Sequence, residues 1–169
     1  MNLPPLRTLL QPLPVAALVL AGAAATLAGA WIFQSLGFEP CELCLKQRLP
    51  YYAALPLAAA AFFLARNGCG GAARVLLGLL AAIFSAGALL ALYHAGVEWK
   101  FWAGPTGCTG DFVKPASMEA FRQQLSHVRV VRCDEVSFRL LGLSLAGWNF
   151  WVAAGLALVA GLGAAAKRG

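Results

Sequence analysis

Four long stretches of the chain carry no charged side chain: residues 11–34, 49–65, 75–93 and 140–166. Within them apolar residues fall on every helical face, without the polar stripe that a helix needs to sit on a water-soluble core. A helix of about 20 residues crosses a hydrocarbon layer about 30 Å thick. Three runs meet that length, and 49–65 lies at its short end. The pattern predicts an all-α membrane protein: one four-helix transmembrane bundle covering 1–169, with spans near 13–34, 48–65, 74–95 and 142–164. Outer loops are expected near 35–47 and 96–141. Between Cys108 and Cys133, Met118, Phe121, Leu125 and Val128 recur at helical spacing among Glu119, Arg122 and Gln123. A short amphipathic helix on the membrane surface or on the bundle top is expected there.

Composition agrees with the pattern. Hydrophobic residues make up 60% of the chain and charged residues 12%, about half the share of a soluble domain. A cleaved leader is the alternative for the first run, with Ala28-Gly29-Ala30 as its small-residue site, but the apolar stretch is longer than such leaders carry. Gly22, Thr26 and Ala30, spaced four apart, would instead share one face for close helix packing.

An even number of spans puts both termini on one side, with the 66–74 loop. That side holds Arg7, Arg66, Arg74, Lys167 and Arg168 and no acid; the other holds the remaining cations and every acid. The cations are denser on the terminal side, which suits a cytosolic placement. The net charge of +6 is spent flanking spans, with no basic stripe interleaved with aromatics, so nucleic acid is not an expected partner. The lipid bilayer is. Cys41, Cys44, Cys108 and Cys133 lie on the side away from the termini, and disulfides persist in oxidising compartments. Termini in the cytosol and four cysteines outside is the expected topology. Cys69, in Asn67-Gly68-Cys69-Gly70-Gly71, reads as a free thiol without a role.

Cys41-Glu42-Leu43-Cys44 is a C-x-x-C, a spacing shared by zinc, haem and redox sites. Haem attachment needs a His after the second Cys, where Leu45 stands. Zinc would want a second close pair, whereas Cys108 and Cys133 are far apart. Copper would want Met or His ligands, and the chain has only Met1, Met118, His94 and His127. No metal is expected. A purely structural bridge would close so small a loop that it would stabilise little. The pair sits where the chain enters the second span, so a helix N-terminus should favour a thiolate at Cys44. Arg48, one turn on, would share its face if the helix already runs there, or else anchor the span at the interface. Pro50 offers another arrangement, opening the helix itself and leaving 41–49 as a separate turn. Cys108 lies in the turn-rich Gly104-Pro105-Thr106-Gly107-Cys108-Thr109-Gly110, exposed to a soluble partner. Two thiol pairs above a membrane, with no haem, flavin or metal motif, suggest an electron relay ending on a lipid-soluble acceptor.

These residues resemble the disulfide bond formation protein B (DsbB) family over essentially the whole chain. The resemblance rests on Pro40-Cys41-Glu42-Leu43-Cys44 before the second span, Arg48 after it, and the Cys pair of the long outer loop. It rests also on Tyr93-His94-Ala95-Gly96-Val97-Glu98-Trp99 and on Ala146-Gly147-Trp148-Asn149. Pro50 and Pro56 depart from the pattern and bear on the geometry of Arg48. The resemblance implies a thiol:quinone oxidoreductase of the bacterial inner membrane, serving disulfide formation and electron transport. Its catalytic cysteines would be Cys41, Cys44, Cys108 and Cys133. Cys108 would be attacked by a periplasmic thioredoxin-like oxidase of DsbA type, Cys133 would attack Cys41, and Cys44 would engage ubiquinone or menaquinone. Arg48, and more loosely His94, would bind that quinone. A relative of vitamin K epoxide reductase is the other enzyme reading, but its active C-x-x-C usually opens the last span, and 142–164 contains no Cys. A disulfide-stapled membrane scaffold is the non-enzyme reading.

Overall fold

The computed structural model describes residues 8, 10–105, 117–119, 122, 132–136 and 138–166. Its elements are α1 (Pro12–Ser35), a short α2 (Glu42–Lys46), α3 (Leu49–Arg66), α4 (Gly70–Glu98), a hairpin of β1 (Arg139–Leu140) and β2 (Leu143–Ser144), and α5 (Leu145–Ala165). Four helical segments, Pro12–Ser35, Glu42–Arg66, Gly70–Glu98 and Leu145–Ala165, are long and apolar enough to cross a membrane. They match the four expected spans, although the second starts at Glu42 rather than 48 and the third runs about a turn longer at each end. In lipid only a helix or a closed barrel satisfies every backbone polar group internally, and this chain takes the first course. The amphipathic helix expected between Cys108 and Cys133 lies almost entirely outside the described residues.

Neighbouring helices pack in a ring, α1 on α3, α3 on α4, α4 on α5 and α5 back on α1. The seam is built from small side chains. Ala16, Val19 and Ala23 of α1 meet Ala54, Ala58 and Ala61 of α3, with Leu77, Leu80 and Phe84 of α4 and Leu156 and Ala160 of α5 closing the centre. Small residues let helices approach where lipid supplies no hydrophobic drive between them. The approach is closest at two glycines: a Cβ on Gly163 would stand 2.6 Å from Val15 Cγ1, and one on Gly22 2.8 Å from Leu156 Cδ2. Gly22 thus packs as expected, while Thr26 and Ala30 line a cavity instead. Leu18, Val75, Leu89 and Leu158 point outward, as a lipid-facing belt requires.

The entry to the second span is broken. α2 ends at Lys46, and α3 starts afresh at Leu49 with Pro50 in its first turn and Arg48 as its N-cap. Proline lacks the N–H that a helix interior needs but fits the first turn. Of the two arrangements open from the sequence, the separate turn is the one adopted. α2 and α3 are thus separated at 47–48, but Gln47 and Arg48 keep right-handed helical φ and ψ, and Cys44 and Arg48 line the same cavity.

The last span begins three residues later than expected because the hairpin occupies 139–144. Its turn, Leu141-Gly142, has φ of +52° and +83°. Ser144 caps α5, its hydroxyl accepting from the Gly147 N–H at 3.1 Å. At the same end of the bundle Trp102 folds back over α4, donating its indole N–H to Tyr93 O at 2.9 Å. A Cβ on Gly96 would meet that indole at 2.0 Å, so only glycine fits beneath it.

Candidate functional site

The short α2 exists to present two sulfurs. Cys41 is its N-cap: the Cys44 N–H donates to Cys41 Sγ at 3.3 Å, and Cys41 O accepts from the Leu45 N–H. The two sulfurs stand 3.0 Å apart as free thiols, Cys41 buried and Cys44 partly so. The helix N-terminus thus supports Cys41, where sequence reasoning had placed the advantage at Cys44. The hydrogen bond from the Cys44 thiol holds the Cys41 thiol well below its ordinary range. Burial opposes this, and the His94 side chain and the Cys44 N–H add to it.

His94, on α4, is 1% exposed. Its Nε2 lies 3.6 Å from Cys41 Sγ and its Nδ1 2.6 Å from Gln47 Nε2. Glu98, one turn on, brings Oε1 to 3.9 Å from His94 Nε2 and accepts from the Ser144 hydroxyl. Gln47 Oε1 accepts from Asn149 Nδ2 at 2.6 Å, and Asn149 Oδ1 accepts from the Tyr51 hydroxyl at 2.6 Å. The sulfurs of Cys41 and Cys44 and a ring nitrogen of His94 lie within 4.8 Å of one another. The fold thus supplies the third soft donor that the sequence spacing lacked, a set chemically able to hold a thiophilic ion when both thiols are reduced.

The two cysteines face different surroundings. Cys41 packs with Cys133 and Leu43 in one buried cluster. Cys133 is 1% exposed and disulfide-bonded; Cys108 falls outside the described residues. The Cys133 segment is tied down by ion pairs. Asp134 accepts from Lys100 at 2.6 Å and from Arg132 at 2.9 Å. The Arg132 bond first, and then the Lys100 bond, holds the Asp134 carboxyl far below the usual carboxylate range. Cys44 instead lines a cavity of about 250 Å³ between α1, the α2–α3 junction and the start of α5. Phe33, Trp148 and Val152 make it apolar, and Arg48, Tyr51 and Asn149 bring polar groups to its wall. Arg48 spends its own hydrogen bonds on α1, donating to Gln34 Oε1 at 2.7 Å and to Ala30 O at 3.3 Å.

Of the residues expected from the sequence, Cys41, Cys44, His94 and Cys133 converge, and Arg48 joins Cys44 on the cavity wall. Gln47, Tyr51, Glu98, Ser144 and Asn149 were not singled out for chemistry. Asn149 carried a signal: it is an amide inside a charge-free span, where polar groups are costly unless they have a partner.

Four membrane-crossing helices with a buried dithiol at one end, a third cysteine packed on it and an apolar cavity beside it define a membrane protein of thiol–disulfide chemistry. Residues 13–163 match the family model described as "Disulfide bond formation protein DsbB", and the chain belongs to that family. It is 29% identical over 154 residues, 88% of each chain, to a protein named "Disulfide bond formation protein B" from Polaromonas sp. (strain JS666 / ATCC BAA-500). No solved structure matches the chain. The protein is thus a multi-pass membrane oxidoreductase of disulfide bond formation.

Proposed function

We propose that the protein reoxidises a soluble, thioredoxin-like dithiol protein of DsbA type and passes the two electrons to a membrane quinone, ubiquinone or menaquinone. The observation that carries this reading is the placement of the dithiol: Cys41 and Cys133 are buried in one cluster, and Cys44, packed against that cluster, also faces the cavity. Thiol–disulfide exchange needs a thiolate in line with the sulfur it attacks. A partner thiolate attacks Cys108 and releases Cys133. Cys133 attacks Cys41, breaking the Cys41–Cys44 bond and leaving the Cys44 thiolate at the cavity. The partner's second thiol then displaces Cys108, Cys108 re-forms its bond to Cys133 and releases Cys41, and the reduced Cys41–Cys44 pair gives its two electrons to the quinone. The net change is one dithiol oxidised and one quinone reduced to hydroquinone, which takes up both protons.

The cavity suits such an acceptor. A cavity of roughly 150 Å³ holds a benzene ring, so one of about 250 Å³ has room for a substituted ring. Arg48, Tyr51 and Asn149 offer donors for carbonyl oxygens. Arg48, already fixed to α1, keeps a cation on the wall where negative charge develops. The bilayer in this reading is the bacterial inner membrane, with the redox cysteines periplasmic and the termini and Cys69 cytoplasmic.

The test is a trapping experiment. In a Cys133→Ser variant the partner should be caught as a mixed disulfide at Cys108. Capture at Cys41 with Cys108 free would overturn the order of transfer. Labelling of Cys69 by an impermeant maleimide in intact cells would overturn the topology.

A further inference from the structure

Four hydrogen bonds run end to end from the cavity wall to the buried sulfur. Tyr51 Oη meets Asn149 Oδ1 at 2.6 Å, Asn149 Nδ2 meets Gln47 Oε1 at 2.6 Å, and Gln47 Nε2 meets His94 Nδ1 at 2.6 Å. His94 Nε2 then meets Cys41 Sγ at 3.6 Å. The members come from α3, α5, the α2–α3 link and α4, and Gln47 and His94 are 5% and 1% exposed. An amide transmits polarity. When its oxygen accepts at one end its NH₂ donates at the other, and a half-turn reverses both ends together.

With a neutral ring only two arrangements therefore satisfy every group. In the first, Tyr51 donates to Asn149, Asn149 to Gln47 and Gln47 to His94 Nδ1; the neutral ring then carries its proton on Nε2, aimed at Cys41 Sγ. In the second, every bond is reversed. His94 donates from Nδ1 to Gln47 Oε1, Asn149 donates to Tyr51 Oη, and Nε2 turns a lone pair towards Cys41. A mixed arrangement would set two donors or two lone pairs face to face in a buried place, which folded proteins avoid. The other groups facing the ring are Glu98 Oε1 at 3.9 Å, Cys44 and the Cys133 backbone, with Arg139 acting on Glu98. Gln47 stands closest to Nδ1, at 2.6 Å.

We propose that Tyr51, Asn149 and Gln47 are positioning residues forming a polarity relay, which sets the tautomer of His94 and couples it to the occupant of the cavity. The coupling rests on the reading that the cavity takes a quinone; the lock of His94 by Gln47 does not. A quinone carbonyl accepting from the Tyr51 hydroxyl releases Asn149 Oδ1 and favours the reversed chain. The reversed chain puts one proton on Nδ1, and a second lies between Nε2 and Cys41 Sγ; that second proton stays on Nε2 as Cys41 re-forms its bond to Cys44. The sulfur–sulfur bond forms, and the electron pair leaves through Cys44 to the quinone. The Cys41 proton rests on His94, and the hydroquinone draws its protons from the Cys44 thiol and, in the end, from this imidazolium.

The experiment reads the ring directly. Reduced full-length protein with ¹⁵N-labelled histidine, in a His127→Gln, Cys44→Ser background in which the quinone is not consumed, is examined by NMR in lipid nanodiscs with and without ubiquinone-1. The expected result is an Nε2–H tautomer alone and an Nδ1–H tautomer with quinone. Tyr51→Phe should still bind the quinone but leave the tautomer unmoved. With Cys44 intact, it should lower kcat for quinone reduction by roughly tenfold or more through the lost relay, and raise KM through the lost donor to the quinone carbonyl. Gln47→Glu, whose carboxylate can only accept, should hold His94 as Nδ1–H with or without quinone. A tautomer that ignores bound quinone in the parent protein overturns the coupling, and Nε2–H retained in Gln47→Glu overturns the lock. If quinone does not bind at all, the function proposed above fails and the coupling with it, while the Gln47→Glu spectrum still judges the lock.

Discussion

Removing Cys44 should cost Cys41 more of its thiolate than removing His94. Cys41 Sγ is met by the Cys44 thiol at 3.0 Å, the Cys44 N–H at 3.3 Å and His94 Nε2 at 3.6 Å. A hydrogen bond to a charged group contributes about 1.5–3 kcal/mol, and one pKa unit corresponds to about 1.4 kcal/mol. Cys44→Ala should therefore raise the Cys41 pKa by roughly one to two units. His94→Leu, removing a longer contact, should raise it by roughly one unit or less. The sign follows from the direction of the shift. A thiol held below its ordinary range is a thiolate at neutral pH, and each lost donor moves its titration up towards neutrality while burial adds to the rise. Alkylation of Cys41 by iodoacetamide, followed from pH 4 to 9 by fragment mass spectrometry in a Cys69→Ser background, should be nearly flat above pH 6 in the parent. It should become pH-dependent in the variants, most steeply in Cys44→Ala. The reasoning fails if Cys41 of the parent titrates as an ordinary thiol, or if Cys44 is the cysteine modified at low pH.

Gly163→Ala should lower the unfolding temperature in detergent, because its Cβ would stand 2.6 Å from the buried Val15. The expected loss is about 1–3 kcal/mol for overpacking. Gly155→Ala, with nothing within 4 Å of its Cβ, should be neutral, and equal effects would contradict the packing account. Leu141→Gly should stabilise the hairpin by about 1 kcal/mol, since Leu141 is held at φ +52° and glycine carries no penalty there; an unchanged or lower melting temperature refutes this. Asp134→Asn should free Cys133 from its tether to Lys100. Transfer from Cys133 to Cys41, measured by quenched exchange, should slow at low salt and lose its salt dependence; a wild-type salt profile would show that the ion pairs do not hold the segment.

The spans were legible because a helix in lipid tolerates no charge over its middle, and charge-free runs are visible without knowing what packs on what. The break before α3 was foreshadowed by Pro50. The face of Arg48 was not legible, because it depended on whether helical backbone ran from Cys44 past Pro50; α2 stops at Lys46, yet Gln47 and Arg48 stay helical in φ and ψ. Which sulfur caps α2 was hidden for the same reason. The hairpin escaped notice because its strands are two residues long and its turn is Leu-Gly rather than the Asn-Gly or Asp-Gly that favours positive φ. The polar chain behind the dithiol was beyond local reading: His94 is 53 residues from Cys41, and Asn149 is 102 from Gln47. Only packing of α4 and α5 against the α2–α3 junction brings them together.

The central claim is that electrons leave the thiols through Cys44 into a quinone. Its most direct test is anaerobic stopped-flow reduction of ubiquinone-1 by the purified protein, supplied with a reduced thioredoxin-like donor. The account predicts one hydroquinone for each donor disulfide formed, with Cys44→Ser abolishing hydroquinone while Cys108 still captures the donor. A donor oxidised at full rate in the Cys44→Ser variant, or a quinone left untouched while the intact protein keeps its thiol pairs oxidised, would contradict it.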